Sequence, residues 1–412
     1  MKRALVLFED RHWRQLRPLT DLTPVPALRF GASDLAGRWS AASGLPLLAI
    51  EARHDPMAAW ADAPAAQTVP ATIDEVIVIN AAALPGAWLA GALEMRAPSL
   101  WLGDGRVVGA RLPVAQLAGG LGRGEGFEAW LLSLALPGFG AGAEFLTWPW
   151  DFVTRNGAAI AADLAAAPGS LAGDVHPSAQ LLEPGRIRIA AGARVDPLAV
   201  LDARGGPILL EAGVVVLPHT VVQGPCVVGA GTQLLGGFVG QSTIGPGCRI
   251  AGEVDSCVWQ GWANKRHHGF VGHSVVGEWV NLGALTTTSD LKNNYGEVRV
   301  WVEEHEVATG TSKVGSILGA HVKTGIGTLL PTGAAVGTGA NLFGGGRFTP
   351  KRTPSFAWWD GERSVEHDLE RFLATARTAM SRRGRVMLPA EERLLRSLHA
   401  GTARERREGA AG

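Results

Sequence analysis

The run Asn264-Lys265-Arg266-His267-His268-Gly269-Phe270-Val271-Gly272-His273-Ser274-Val275-Val276-Gly277-Glu278-Trp279-Val280-Asn281-Leu282-Gly283, continuing as Ala284-Leu285-Thr286-Thr287-Thr288-Ser289-Asp290-Leu291-Lys292-Asn293-Asn294-Tyr295-Gly296, decides the fold. Within it Phe270, Val276 and Leu282 recur every six residues. The same step returns on both sides in short runs: Ile189, Val195 and Leu201; Val215, Val221 and Val227; Ile244 and Ile250; Val336 and Leu342. Glycine often follows, as in Val228-Gly229, Ile244-Gly245 and Val336-Gly337. This period is neither helical nor simply alternating. It predicts a β-helix of hexapeptide repeats, in which each face of a coil is one short strand, the recurrent aliphatic side chain points inward and small residues turn the corners. Breaks in phase at 202–206 and 286–295 read as loops extruded from a corner.

Groups that ionise, donate and accept are threaded through the same stretch. It holds three of the eleven histidines, His267, His268 and His273, and the single tyrosine, Tyr295. The bulk composition narrows the rest. A chain of 412 residues has room for two or three domains, and 46% apolar residues argue against disorder. Lysine plus arginine balances aspartate plus glutamate at 38 each, so nothing in the bulk charge points to nucleic acid or an anionic membrane. Cys226, Cys248 and Cys257 have neither metal-ligand nor disulfide-framework spacing, and a reducing compartment is the simplest reading. The apolar run near Met1 is too short for a signal peptide, and no uninterrupted run of about 18 apolar residues occurs. No membrane span is expected, and a cytoplasmic location follows by default.

Residues 3–8 and 75–80 read as buried strands and 32–43 as helix, which argues for an α/β layer with a largely parallel sheet. Glu9, Asp10 and Asn80 stand just past strand ends, where such sheets face a ligand crevice. Then Arg17-Pro18-Leu19-Thr20, Pro24, Pro26-Ala27 and Phe30-Gly31 resemble the opening signature of sugar-1-phosphate nucleotidyltransferases. The resemblance implies a nucleotidyltransferase-like α/β domain over 1–167. In that family a glycine-rich loop, a catalytic arginine and a lysine surround the nucleotide phosphates, and Mg2+ serves the reaction. Such donors stabilise charge as it builds on phosphorus. This chain departs at each of them. The loop falls on Glu9-Asp10-Arg11-His12-Trp13, the arginine on Gln15, the lysine on Val25 and the metal-binding aspartate near Asn80. Glu9 and Asp10 are expected to repel phosphate, with Arg11, Arg14 and Arg17 supplying substitute positive charge. The expectation is a frame that binds a sugar nucleotide without its reaction, needing Mg2+ only if active. An alanine-rich helix over 158–167 closes this domain, and 166–170 is the linker.

The repeats resemble those of hexapeptide-repeat acyltransferases, which implies an all-β, left-handed parallel β-helix over 168–350 and a homotrimer. The opening stretch resembles the acetyltransferase half of bifunctional N-acetylglucosamine-1-phosphate uridyltransferases. There a histidine, a glycine five residues on and an asparagine fourteen residues on match His267, Gly272 and Asn281. An Asn-Tyr pair on the family's extruded loop matches Asn294-Tyr295, allowing four extra residues. A subgroup known only as sugar nucleotidyltransferases shares the 264–270 run and the 289–296 loop.

That likeness implies acyl transfer from an acyl-CoA to an amino-sugar phosphate. The amine must lose a proton, and an imidazole is the natural base near neutral pH. His267 is the expected base, with Asn281, Asn294 and Tyr295 orienting the sugar or the oxyanion. Lys265, Arg266 and Lys292 are expected to hold a sugar phosphate or the coenzyme's pyrophosphate, and Trp259, Trp262 and Trp279 offer flat faces. His268 and His273 read as structural or supporting. The family's tyrosine near the histidine is Phe270 here, which removes a hydroxyl. Small residues over 309–325 match the coils that flank the pantetheine arm in those enzymes. A different class on the same prism, the trimeric γ-type carbonic anhydrases, would place zinc on His267, His273 and His321; the acyltransferase reading involves no metal there.

Residues 351–412 read as a helical tail. Val365, Leu369, Phe372, Leu373, Ala376 and Met380 share one stripe of a helix over 362–383, closed by Arg382-Arg383-Gly384. Pro389 opens a shorter helix with Leu394, Leu395 and Leu398, and 401–412 fray. Both helices are expected to pack on the prism or a neighbouring subunit, since Glu362, Glu366, Asp368 and Glu370 disfavour a membrane surface. Taken together, the chain reads as a transferase that takes a sugar phosphate or sugar nucleotide. The alternative is a scaffold or sensor that binds a sugar nucleotide and catalyses nothing.

Overall fold

The computed structural model describes residues 2–60, 63, 72–166 and 168–409. They fall into two compact units. The first takes the described residues up to Leu16, then Leu22–Leu28, and those from Ser33 to Thr147; the second takes Arg17–Asp21, Arg29–Ala32 and the residues from Trp148 onward.

The first unit is built on a six-stranded sheet. In spatial order its strands are Leu47–Glu51, Arg3–Phe8, Glu75–Asn80, Arg106–Pro113, Ser99–Gly103 and Gly138–Gly140. Both strands read from the sequence lie side by side and parallel, with Arg3 opposite Glu75 and Phe8 opposite Asn80. The sheet is mixed rather than largely parallel, because Arg106–Pro113 runs antiparallel to both of its neighbours. The reversal against Ser99–Gly103 comes from the two-residue turn Asp104-Gly105, with both residues at positive φ (49° and 73°). That backbone suits a tight hairpin, and Asp-Gly is the dipeptide that favours it. The sheet's core joins Val6, Phe8, Val78, Ala110 and Leu112 to Phe127 and Leu131. The helix read at 32–43 is Leu35–Ser43. Asp34 Oδ1 accepts from Gly37 N at its start and Gly44 (φ 65°) ends it in the left-handed region.

The second unit is a parallel β-solenoid of about 11 turns with a helical C-terminal segment. Strands stack coil on coil in parallel register on each face, as in Ile189 on Leu210, Leu201 on Val222 and Val195 on Val216. Ile189, Val195, Leu201, Ile244, Ile250, Val276, Leu282, Val336 and Leu342 all lie in the buried core, as the period requires. The phase slips elsewhere. Val216, Val222, Val228 and Val271 fill the interior, while Val215, Val221 and Phe270 are half-buried beside it. Val227 faces outward and packs with Ile160 and Leu164. Two interior positions hold unexpected residues: Trp259 is fully buried in the core, and Lys265 pairs with Ile250 in the ladder.

Three boundaries move. The extruded segment is 289–316 rather than 286–295, and it contains the antiparallel hairpin Arg299–Val302 with His305–Ala308. The coils continue past 350, since Arg352–Thr353 stacks on Ala335–Val336 and Ala357–Trp359 on Asn341–Leu342. The helix read at 158–167 is Asp151–Leu164 and groups with the second unit, where it packs through Ile160 and Leu164. Its expected end at Ala167 lies outside the described residues.

The tail departs from its reading at both ends. Residues Ser364–Glu366 are a strand antiparallel to Ala357–Trp359, so Val365 is exposed and the helix is only Leu369–Ser381, capped by Asp368. Phe372, Leu373, Ala376 and Met380 form its buried stripe. Pro389–Gly401 follows as read, burying Leu394 and Leu395. The expected frayed end instead forms the helix Ala403–Gly409, because Arg406 is buried and donates to Ser355 O, His399 O and Thr402 Oγ1. Residues 410–412 lie outside the described residues.

Candidate functional site

In the first unit the crevice positions are occupied by internal ion pairs. Glu9 is buried, takes Arg53 Nε at 2.7 Å and accepts Val25 N at 2.7 Å. Asp10 is buried against Arg106 Nη2 at 2.8 Å and also receives Asn80 Nδ2 at 2.8 Å and the His12 ring at 3.2 Å. The two carboxylates therefore do not stand as open negative charge; each has its own guanidinium. Burial, followed by the Asp10 charge, pushes Glu128 above the usual carboxylate range. Asn80 spends its amide on Asp10 and Val107 O, and its Oδ1 accepts Ala82 N. With Asp10 engaged as well, this donor set does not fit a magnesium ion. Arg14 is exposed, its guanidinium 4.6 Å from the Trp13 ring centre. Arg17 is a correction. It belongs to the second unit, with Nε 2.6 Å from Asp21 Oδ1 and Nη1 within 4 Å of Glu303 and Glu405. Burial works against its charge, but those three carboxylates outweigh it and raise its pKa. It is not a free cation for the first unit's crevice.

On the solenoid, one face presents Arg249, Asn264, Asn281 and Lys323 on successive coils, each opposite the next in the parallel ladder. Adjacent strands lie about 4.8 Å apart, so these four side chains form a continuous outward row. Asn264 Nδ2 donates to Asn281 Oδ1 at 2.8 Å. The row floors a cavity of about 480 Å³ walled by Arg266, Trp262, Trp279 and Val280, with Ala379, Arg382 and Arg383 from the tail helix. Among the described residues five cations and no carboxylate line it. Burial, then Arg249, Arg382 and Arg266, hold the Arg383 guanidinium below its ordinary pKa. Burial lowers the Lys323 amine to about 8.

The tryptophans do not offer open faces. Trp262 lies between the Arg385 guanidinium (5.1 Å) and Trp279 (5.4 Å), and Trp279 stacks in turn on His321 at 6.3 Å. Gly247 (φ 63°) permits this, because a Cβ there would meet the Trp262 ring at 2.5 Å. Trp259 is inside the core.

Of the residues carried over from the resemblance, the structure brings Arg266 and Asn281 into this cavity. Lys265 is a correction: it is 1% exposed, and its amine donates to Ala251 O and His267 O at 3.0 Å each. It cannot hold a phosphate outside the prism. His267 and His268 are exposed at the corner just past the face. Lys292 donates to Glu297 O at 2.5 Å and Asn294 Oδ1 accepts Gly296 N, so both fold their own loop, from which Tyr295 projects 75% exposed. His273, read as supporting, is paired: its Nδ1 lies 2.7 Å from Asp290 Oδ2. That hydrogen bond holds Asp290 below the usual carboxylate range. An ionised carboxylate only accepts, so the pairing engages the ring through Nδ1 and leaves Nε2 outside this hydrogen bond. His273 also sits at φ 44°, a left-handed backbone uncommon outside glycine.

The zinc reading needs three imidazoles on one ion. His321 is buried between Trp279 and Phe372 and held down to about 3 by burial, while His273 is bound to Asp290. Among the described residues no three such side chains gather to hold a metal. Reading by motif missed Arg249, Lys323, Arg382, Arg383 and Asp290. The coil register could have found the first two, because each precedes an inward residue on the same face as Asn264 and Asn281.

The fold defines the class: a nucleotidyltransferase-like unit in one chain with a parallel β-solenoid. Residues 5–169 match the family model described as sugar nucleotidyl transferase. A bifunctional sugar-1-phosphate nucleotidylyltransferase/acetyltransferase from Sulfurisphaera tokodaii is 34% identical over 93 residues, which is 23% of each chain. The match therefore spans about a quarter of that relative's length. UDP-N-acetylglucosamine acyltransferases from Arabidopsis and Campylobacter jejuni align over 50% and 57% of this chain and 78% and 94% of theirs, at 14% and 12% identity and TM-scores of 0.24 and 0.21. Among the described residues no helix is long and apolar enough to cross a membrane.

Proposed function

We propose that this chain is a cytoplasmic transferase that moves an acyl group from an acyl-CoA to an amino-sugar phosphate on its solenoid, while the first unit holds a sugar nucleotide without turning it over. The observation that supports this best is the cavity in which Arg266 and Asn281 stand among further cations, with no carboxylate in the lining among the described residues. A phosphorylated ligand, the coenzyme or a sugar nucleotide among them, is the class such a lining attracts. In the reaction the sugar amine attacks the thioester carbonyl, the imidazole takes the amine proton and the coenzyme thiolate leaves. His267 is the base that the resemblance points to. Its corner also carries Leu285, Ile326 and Phe343, which are 57%, 72% and 59% exposed. An exposed apolar ridge of that kind suits a second copy of the chain, in keeping with a homotrimer whose neighbouring loop supplies Asn294 and Tyr295.

A second assignment has its own observation. His273 is oriented by Asp290 through Nδ1, the arrangement in which a third group fixes a base for proton transfer. Wild type, His267→Ala and His273→Ala assayed with acetyl-CoA and a panel of amino-sugar phosphates separate the two. Loss of the true base lowers kcat by about 10²–10⁴-fold with little change in KM. Full activity in His267→Ala refutes the first assignment. No turnover in wild type with any pair supports the non-catalytic scaffold. Robust pyrophosphorolysis of sugar nucleotides with magnesium refutes the binding-only reading of the first unit.

A further inference from the structure

The cavity is completed by the tail, and its chemistry is narrower than a general cationic surface. Arg249, Asn264, Asn281 and Lys323 approach from the floor, Arg266 from one rim and Arg382 and Arg383 from the helix end. Among the described residues none of these five cations forms an ion pair with a carboxylate. Arg383 Nη1 donates to Gly247 O at 2.7 Å. Like charges held together at this density repel, and water alone offsets that poorly in a concave site. The tryptophan rings are already engaged with each other, with Arg385 and with His321, which leaves less for a planar ring to stack on. What the site can recognise is charge, from several directions at once.

We infer that this cavity binds the pyrophosphate group of a ligand, with Arg382 and Arg383 of the tail closing on it from the side opposite the coil ladder. Two linked phosphates carry more charge and more acceptor oxygens than one, and so offer more partners to the cations of the floor and the helix end. A coenzyme A and a sugar nucleotide share this group, and the site reads what they share. The inference concerns binding and does not require the acyl-transfer reading.

Isothermal titration of the full chain with inorganic pyrophosphate tests it. The expected result is saturable binding, weaker for inorganic phosphate by tenfold or more and falling steeply with added salt. The Arg382→Gln/Arg383→Gln double variant is expected to bind at least tenfold more weakly. Arg249→Gln, on a different element, should weaken it as well, which guards against a folding defect in one variant. Competition by coenzyme A or by a uridine diphosphate sugar tells which ligand supplies the group. No saturable binding, or equal affinity in both variants, overturns the inference. Tighter binding of a single-stranded oligonucleotide than of pyrophosphate also overturns it. Pyrophosphate binding without any turnover keeps this site and defeats the transferase reading alone.

Discussion

Replacing Lys265 with methionine should change sign in its effect on stability as pH rises. The lysine is 1% exposed on the inward side of the ladder, beside Ile250, and among the described residues no carboxylate pairs with it. Burial lowers its amine from 10.5 to about 8. The fall from 10.5 to about 8 corresponds to at most about 3.4 kcal/mol against the charged form. The folded chain binds this proton less readily than the unfolded one, so stability rises as pH climbs from about 8 to 10.5. Methionine removes that cost but leaves Ala251 O and His267 O without their donor, at about 1 kcal/mol each. Near pH 7 the variant should therefore equal wild type or exceed it by about 1 kcal/mol, and near pH 10.5 it should fall about 2 kcal/mol below. Urea unfolding followed by tryptophan fluorescence between pH 7 and 10.5 measures the difference. A difference that stays constant across this range would refute the buried placement and return Lys265 to the surface.

The coil register predicts that Val216→Ala costs about 2 kcal/mol and Val215→Ala under 1 kcal/mol in the same unfolding assay, because only Val216 fills the core. Glu9→Gln should destabilise the first unit by about 3 kcal/mol by leaving the Arg53 guanidinium buried without its carboxylate, read as a lower melting temperature. Asp290→Asn should lower acetyl-transfer kcat at least tenfold if His273 is the base and leave it unchanged if His267 is. Gly237→Ala should abolish soluble expression or cost several kcal/mol, since Gly237 sits at φ 96° and a Cβ there would lie 2.1 Å from Gly252 O.

The repeat was legible because one aliphatic residue per face must point inward, and Ile189, Val195, Leu201, Ile244 and Ile250 do so. It misled at Val215-Val216 and Val221-Val222, where two aliphatic residues stand together and chemistry alone does not say which is inside. Coils also shorten: Leu234, Val239 and Ile244 are five apart, which shifts the phase of the later coils. Lys265 and Trp259 were read as outward because of their chemistry, yet register governs direction. The cavity was half legible. Arg266 and Asn281 came from the local run, but Arg382 and Arg383 reach it only through the packing of a helix more than a hundred residues later. In the first unit the lost phosphate donors were evident, whereas the guanidiniums that replaced them as partners of Glu9 and Asp10 come from distant strands and loops.

The last coil ends in strands whose outer amides and carbonyls would invite another parallel layer. Ser364–Glu366 pairs with Ala357–Trp359 in the opposite sense, and the following helix seats Phe372 on Phe356. A newcomer stacking in the direction of the coils therefore meets a reversed strand and a helix in its way. The same segment that lends arginines to the cavity thus works as a terminator, which keeps a self-complementary stack from growing into a fibre.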